Sequence, residues 1–258
     1  TSTLGAYSDG SYRAFFLYGA TTEILLGNVV SAFDRLLVKF NLVPRCTLLS
    51  LKDRKRSLAT PWGRIKTDAT LLNSPVSILE LMPSHKDFRS LGYSKFVLGI
   101  KTDENASYSY IALPGEGAPV CQFDFMSFLS IVSSICSVSY GFATRLPVAL
   151  PPYSFATGFI WVDEQSRFYR PQDLGSAQDP DSKFRLFRHY GAFARDLSGP
   201  RECLQRKLRD VYEINFLSQC HLRQKVSAGT LLELLDDSQC GEVIETAFGG
   251  SLWIPEIT

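Results

Sequence analysis

The sequence predicts an α+β fold, mainly antiparallel sheets packed against long apolar helices. Three observations predict it. Aromatic and β-branched runs of strand length recur along the chain, as YRAFFLY at 12–18, KFVLGI at 95–100 and SYSYIAL at 107–113. Two long segments, 25–40 and 123–143, carry apolar residues at helical spacing or all round. The polar stretch 101–106 joins two of the strand-like runs directly, as a hairpin does. Sheet elements followed by a long apolar helix occur early and again in the middle of the chain, which suggests two similar α+β units.

The totals bound the class of protein. At 258 residues with 45% hydrophobic and 21% charged residues, the chain can bury a sizeable core and is not a disordered one. A net charge of +1 gives no electrostatic footprint for nucleic acid or for an anionic membrane, so neither is expected as a partner. No N-terminal targeting pattern is visible, because the apolar cluster at 14–17 is too short and follows Arg13. The six cysteines are widely scattered without a C-x-x-C pair, which favours free thiols in a reducing cytosol over three disulfides. The chain reads as one body over 1–258. Its best internal boundary, the proline-rich 147–152, would divide an N-terminal unit 1–146 from a C-terminal unit 153–258.

Each element has its own justification. Residues 12–18 end at Gly19 and read as a buried strand. Thr21 or Thr22 can cap a helix to about Phe40, with Leu25, Val29, Ala32, Phe33 and Leu36 on one face. A strand is expected over 47–51, a turn at 61–63, and a strand or short helix over 75–82. The segment 123–143 has no charge after Asp124, and its large apolar residues are separated by six serines. It reads as a central helix of about five turns, enclosed on most sides and too polar for a bilayer. Strands are expected at 158–162 and 184–187, a helix or two short turns at 211–222, and a short helix at 230–235. A closing hairpin is expected over 242–254, turning at Gly249 and Gly250.

The search for chemistry finds no complete constellation. His85, His189 and His221 lie far apart, and no H-x3-H or C-x2-C spacing is present, so no metal is expected. Neighbours on a helix point apart, which leaves Cys220 packed and His221 partly exposed. There is no G-x-S-x-G elbow and no G-x4-G-K-[ST] phosphate loop, and Glu116 between Gly115 and Gly117 would repel a pyrophosphate. No catalytic residue and no cofactor are expected. The alternative is an intracellular enzyme, a hydrolase or transferase, whose site pairs Cys203 or Cys220 with His189 once the chain folds. The basic run at 52–56, with Arg64 and Lys66 behind it, could bind phosphate. It lacks interleaved aromatics, which favours a solvated loop.

Three stretches resemble a known family. They are YRAFFLY with the helix ILLGNVVSAFDRLLVKF, the run from YIALPGEG through FDFMSFLSIVSSICSVSYGFA, and LRDVYEINFLSQCHLRQKV with the hairpin VIETAFGGSLWIPE. In element order and apolar pattern they resemble the immunity proteins that protect bacteria from their own type VI or polymorphic toxins, in the family grouped as immunity protein 52. The third stretch departs from that pattern, with Glu213-Ile214-Asn215-Phe216 where a Trp-centred turn is usual. The resemblance implies a non-catalytic cytoplasmic protein that blocks a cognate toxin by binding it. Because many toxins present basic clefts, Asp163, Glu164, Asp173, Asp179 and Asp181 in the acidic stretch 163–181 are the candidate partner-binding residues. A solvated acidic loop is the competing account of the same residues.

Overall fold

A computed structural model describes residues 11–20, 23–53, 58–83, 96–102, 106–115, 119–147, 152–156, 161–162, 168–169, 212–226, 229–236 and 240–256. Its centre is a ten-stranded sheet in which every neighbouring pair is antiparallel. The strands in chain order are β1 (Ser11–Ala20), β2 (Cys46–Leu51), β3 (Leu58–Ala59), β4 (Val76–Met82), β5 (Val97–Thr102), β6 (Ala106–Pro114) and β7 (Ser137–Pro147). Two short strands, β8 (Trp161–Val162) and β9 (Phe168–Tyr169), pair with each other apart from this sheet. Then come β10 (Ile214–Ser218), the small pair β11 (Lys225–Val226) and β12 (Gly229–Thr230), and finally β13 (Glu242–Glu245) and β14 (Gly250–Ile254). The order across the large sheet is β13-β14-β10-β7-β1-β6-β5-β4-β2-β3.

The strand β1 lies in the middle, and its sequence says why. Phe15 and Leu17 alternate with Tyr12, Ala14, Phe16 and Tyr18, and all six are buried, so both faces of the strand are covered. On the first face sit α1 (Leu26–Lys39), α2 (Trp62–Thr67), α3 (Ala69–Leu72) and α4 (Gln122–Ser133), with Phe33, Leu36, Phe125, Phe128 and Val132 packed on Phe15, Leu17, Leu98 and Ile111. The second face is aromatic. Across it run Tyr110, Phe16 and Phe142 in register, and beside them Tyr108, Tyr18 and Tyr140. Phe155 from α5 (Pro152–Ala156), Leu222 from α6 (Gln219–Leu222) and Leu235 from α7 (Leu231–Leu235) pack against this face.

The α+β class and the antiparallel sheet stand, but the long apolar helices do not. The longest helices described are α1 and α4, of 14 and 12 residues. The expected central helix over 123–143 ends at Ser133, and a turn hands the chain to β7. Tyr140 and Phe142 face the aromatic side there while Ala143 faces the helices, a period of two, starting after a bulge at Ser139, that a serine-spaced apolar run hides from a helical reading. Over its twelve residues α4 is buried or half-buried at all but two positions. It buries Phe125, Phe128, Leu129, Ile131 and Val132, while Phe123 and Ser130 are exposed.

Other boundaries move for local reasons. Helix α1 starts at Leu26, and Leu25 stands at its cap without a side-chain bond. Leu26 N–H bonds to the Ser74 carbonyl instead, and Leu25 bridges to Pro75, so tertiary pairing sets the start. The expected turn at 61–63 opens α2, with Pro61 at the cap position and Trp62 buried. The segment expected as a helix or two short turns at 211–222 gives, over its described residues, β10 followed by the single turn α6, because residues 214–218 fill the slot between β7 and β14. The hairpins 97–114 and 242–254 form as expected, the second turning through Gly249 at φ +76°. Helix α7 carries a capping box: Thr230 Oγ1 accepts from Glu233 N–H at 3.3 Å, and Glu233 Oε2 accepts from Thr230 N–H at 2.7 Å. The expected strand at 184–187 lies outside the described residues.

Candidate functional site

The antiparallel register of β1 on β7 places Arg13 directly opposite Arg145. Like charges so placed repel unless each finds a counterion. Arg13 finds Asp124 in the first turn of α4, with Nη1 3.2 Å from Oδ2, and the helix dipole favours the carboxylate at that end. Arg145 finds Glu213, just before β10, with Nε 3.5 Å from Oε1. The same carboxylate oxygen accepts the Arg145 backbone N–H at 3.3 Å. Two ion pairs therefore tie the start of α4 and the approach to β10 onto the β1–β7 ladder.

Beside the Arg145–Glu213 pair lies a cleft of about 310 Å³. Pro119, Val120 and Gln122 lead into α4 along one wall, and Ile214 and Ile254 supply apolar floor from β10 and β14. Arg145 and Glu213 form the charged wall. Phe123, next to Gln122, is 81% exposed. A large aromatic group left in water is a feature that contact surfaces often carry. Because both ion pairs are partly solvated, each adds little to stability, and their main effect is to set geometry.

A second polar cluster sits on the aromatic face. Tyr110 O–H donates to Glu80 Oε1 at 2.7 Å across Gly99, which lies opposite both residues in the ladder. A Cβ at Gly99 would come within 2.3 Å of the Tyr110 ring, so the missing side chain leaves room for the phenol to reach Glu80. Burial pushes the Glu80 carboxyl above its ordinary range, and the Tyr110 hydrogen bond offsets part of that rise. Burial and the nearby Glu80 hold Tyr110 well above its ordinary value, so it stays a donor. Beside the pair, Lys101 Nζ lies 5.6 Å from the Tyr108 ring centroid and 5.9 Å from that of Tyr153.

The raised Glu80 value makes a prediction with a definite sign. The folded state holds this proton more tightly than the unfolded chain, whose carboxyl titrates near 4.5. The contribution is full below the unfolded value and is lost as pH rises through the folded one. Glu80→Gln should therefore raise the urea midpoint of unfolding above wild type at pH 7, and the advantage should vanish near pH 4. An advantage that is equal at both pH values would rule out Glu80 as its source.

The expectations for Cys220 and His221 are reversed. Cys220 is exposed and His221 is buried, its ring centroid 5.6 Å from that of Tyr140 and its Nδ1 3.0 Å from Ser218 Oγ. The one-turn helix after β10 directs position 221 to the aromatic face. Among the described residues Cys121, Cys136, Cys220 and Cys240 are free thiols, and burial pushes Cys136 up to about 11. No group of three or more metal-ligating side chains occurs among the described residues. Lys66 is taken up by Asp34 of α1 at 2.8 Å, and Trp62 Nε1 donates to the same carboxylate at 3.1 Å. That part of the basic segment serves to seat α2 on α1. Asp163, Glu164, Asp173, Asp179 and Asp181 lie outside the described residues, as do His85, His189 and Cys203. Arg13, Arg145 and Glu213 were not singled out by the sequence, since their meeting depends on the β1–β7 register.

The sheet and the helices on it define an antiparallel α+β protein. No known protein-family profile matches the chain, and no curated protein does. Among solved structures, the chain is similar to the type VI secretion system (T6SS) protein PA0821 of Pseudomonas aeruginosa, with a TM-score of 0.51 and 13% identity. The likeness covers 95% of this chain and 65% of that one, so this chain spans a little under two thirds of its neighbour's length. At that identity the shared property is the fold. No helix among the described residues is long and apolar enough to cross a membrane.

Proposed function

We propose that the chain is a non-catalytic cytoplasmic binding protein of the immunity type, which neutralises a cognate bacterial toxin by direct contact. The observation that carries this reading is the fold shared with a T6SS protein over 95% of the chain. The three stretches that resemble immunity proteins agree with it. An exposed Phe123 and, elsewhere on the surface, an apolar-walled cleft support it further, since a protein that acts by contact needs a shaped surface with a few anchors.

The test is co-expression with the toxin encoded in the neighbouring reading frame. Growth should be restored, and the two chains should elute as one stoichiometric complex in size-exclusion chromatography. Continued growth arrest with the two proteins eluting separately would exclude the reading.

A further inference from the structure

We infer that the outer edge of β13 is where an extended, basic segment of the partner protein adds to the sheet. The core of that segment would read cation, apolar, apolar, cation, matched to Glu242, Val243, Ile244 and Glu245. This inference rests on the binding reading proposed above and names the surface through which the contact would be made.

The topology opens this edge. Strand β13 ends the ten-stranded sheet, and no strand among the described residues pairs with its outer side. Thr246 N–H bonds to the Gly250 carbonyl at 2.9 Å. Bonded and unbonded pairs alternate along an antiparallel ladder, so Glu242 and Ile244 turn their N–H and C=O groups to β14. Those of Val243 and Glu245 point away from it, where another strand can pair with them. The side chains fix what that strand carries. Val243 packs with the aromatic face and Ile244 with the helix face, and both are only half-buried. An added strand with one apolar residue on each face would finish covering them. Glu242 and Glu245 are exposed, and neither forms an ion pair among the described residues. Residues 240–256 hold a third carboxylate, Glu256, and no lysine, arginine or histidine. The edge is therefore negative in a chain whose net charge is +1, and it favours cations at both ends of the added segment. The same charges turn away a second copy, since centred antiparallel pairing of two β13 strands sets each Glu242 against a Glu245.

The experiment has two arms on the full chain. In the first, a fluorescein-labelled peptide with a lysine–valine–valine–lysine core is titrated against wild type, the double variant Glu242→Gln/Glu245→Gln, and Val243→Pro. Proline at this position removes an outward N–H that β14 does not use, so the native hairpin is kept. The peptide should bind wild type about ten-fold more tightly than it binds either variant. A peptide with glutamates in place of the lysines, and a lysine peptide N-methylated at both valines, should each bind wild type about ten-fold more weakly. If Val243→Pro fails to fold, the methylated peptide makes the same test of the ladder on wild type. Equal binding of the lysine and glutamate peptides, or no effect of methylation, overturns the inference. In the second arm, calorimetry with the neighbouring toxin should show a loss of about ten-fold for the double variant and for Val243→Pro. Equal binding of the toxin to wild type and both variants overturns this edge while the binding reading stands. If the toxin does not bind wild type, both fall. A dimer of the chain alone that Val243→Pro disperses would place a second copy on the edge, and would also overturn the inference.

Discussion

Phe142→Ala should cost about 3–5 kcal/mol of folding stability, among the largest effects of any single truncation in the chain. Phe142 is fully buried in β7 and lies at the crossing of the aromatic face. Its ring stacks on Tyr212 with centroids 3.9 Å apart and meets Phe16 at 5.0 Å, Tyr18 at 5.9 Å and Phe155 at 6.2 Å. These partners come from β1, from α5 and from the entry to β10, so no one of them can move in to fill the space. The cost therefore combines lost transfer energy with a cavity that the sheet cannot close. Urea denaturation at constant slope is the measurement. A loss below about 1 kcal/mol would mean that the aromatic face repacks freely.

Gly19→Ala should be nearly as damaging, at about 2–4 kcal/mol, through a different mechanism. The β1–β7 register shifts between Tyr18 and Gly19, where the incoming strand passes close to the first residue of β7. A Cβ at position 19 would stand 1.9 Å from the Ser137 carbonyl oxygen and 2.9 Å from its carbon. The obstacle is backbone, which cannot rotate away as a side chain can. The bulge would have to open, and the last pairs of the ladder, Gly19 with Val138 and Ala20 with Ser137, would be lost. Amide exchange should accelerate at Ser139 and Gly141 before it does in β5. Unchanged exchange with an unchanged urea midpoint would show that the register does not depend on a bare Cα at this point.

Both effects concern β7, the element least legible in the sequence. Strand β1 could be read directly, because a run of seven residues with no charge after Arg13 is buried on both faces whatever its neighbours are. The hairpin of β5 and β6, the short helix α7 and the closing hairpin could also be read, since each is decided within a dozen residues by turn chemistry or caps. The stretch 123–143 could not. An apolar run that is helical to Ser133 and extended from Ser137 keeps the same composition throughout, and the switch is made where Ser137 meets Ala20 across the bulge. Likewise, 214–218 carries no local mark of strand strong enough to overrule a helix, yet it is bonded on both sides, to β7 and to β14.

The same division holds for the candidate site. Asp124 was visible as an acidic residue at a helix start, but its partner Arg13 is 111 residues away, and Glu213 is 68 residues from Arg145. What the sequence by itself determined was the α+β class, the places of the central strand and the local hairpins, and the absence of a recognisable catalytic motif. Those features follow from short-range periodicity, turn residues and composition. Only the tertiary structure decided where α4 stops, that β10 is a strand, that His221 is buried while Cys220 is exposed, and that Arg145 and Glu213 line one cleft. Each of these is set by pairing between strands far apart in the chain, and a ladder's register is a property of two strands together.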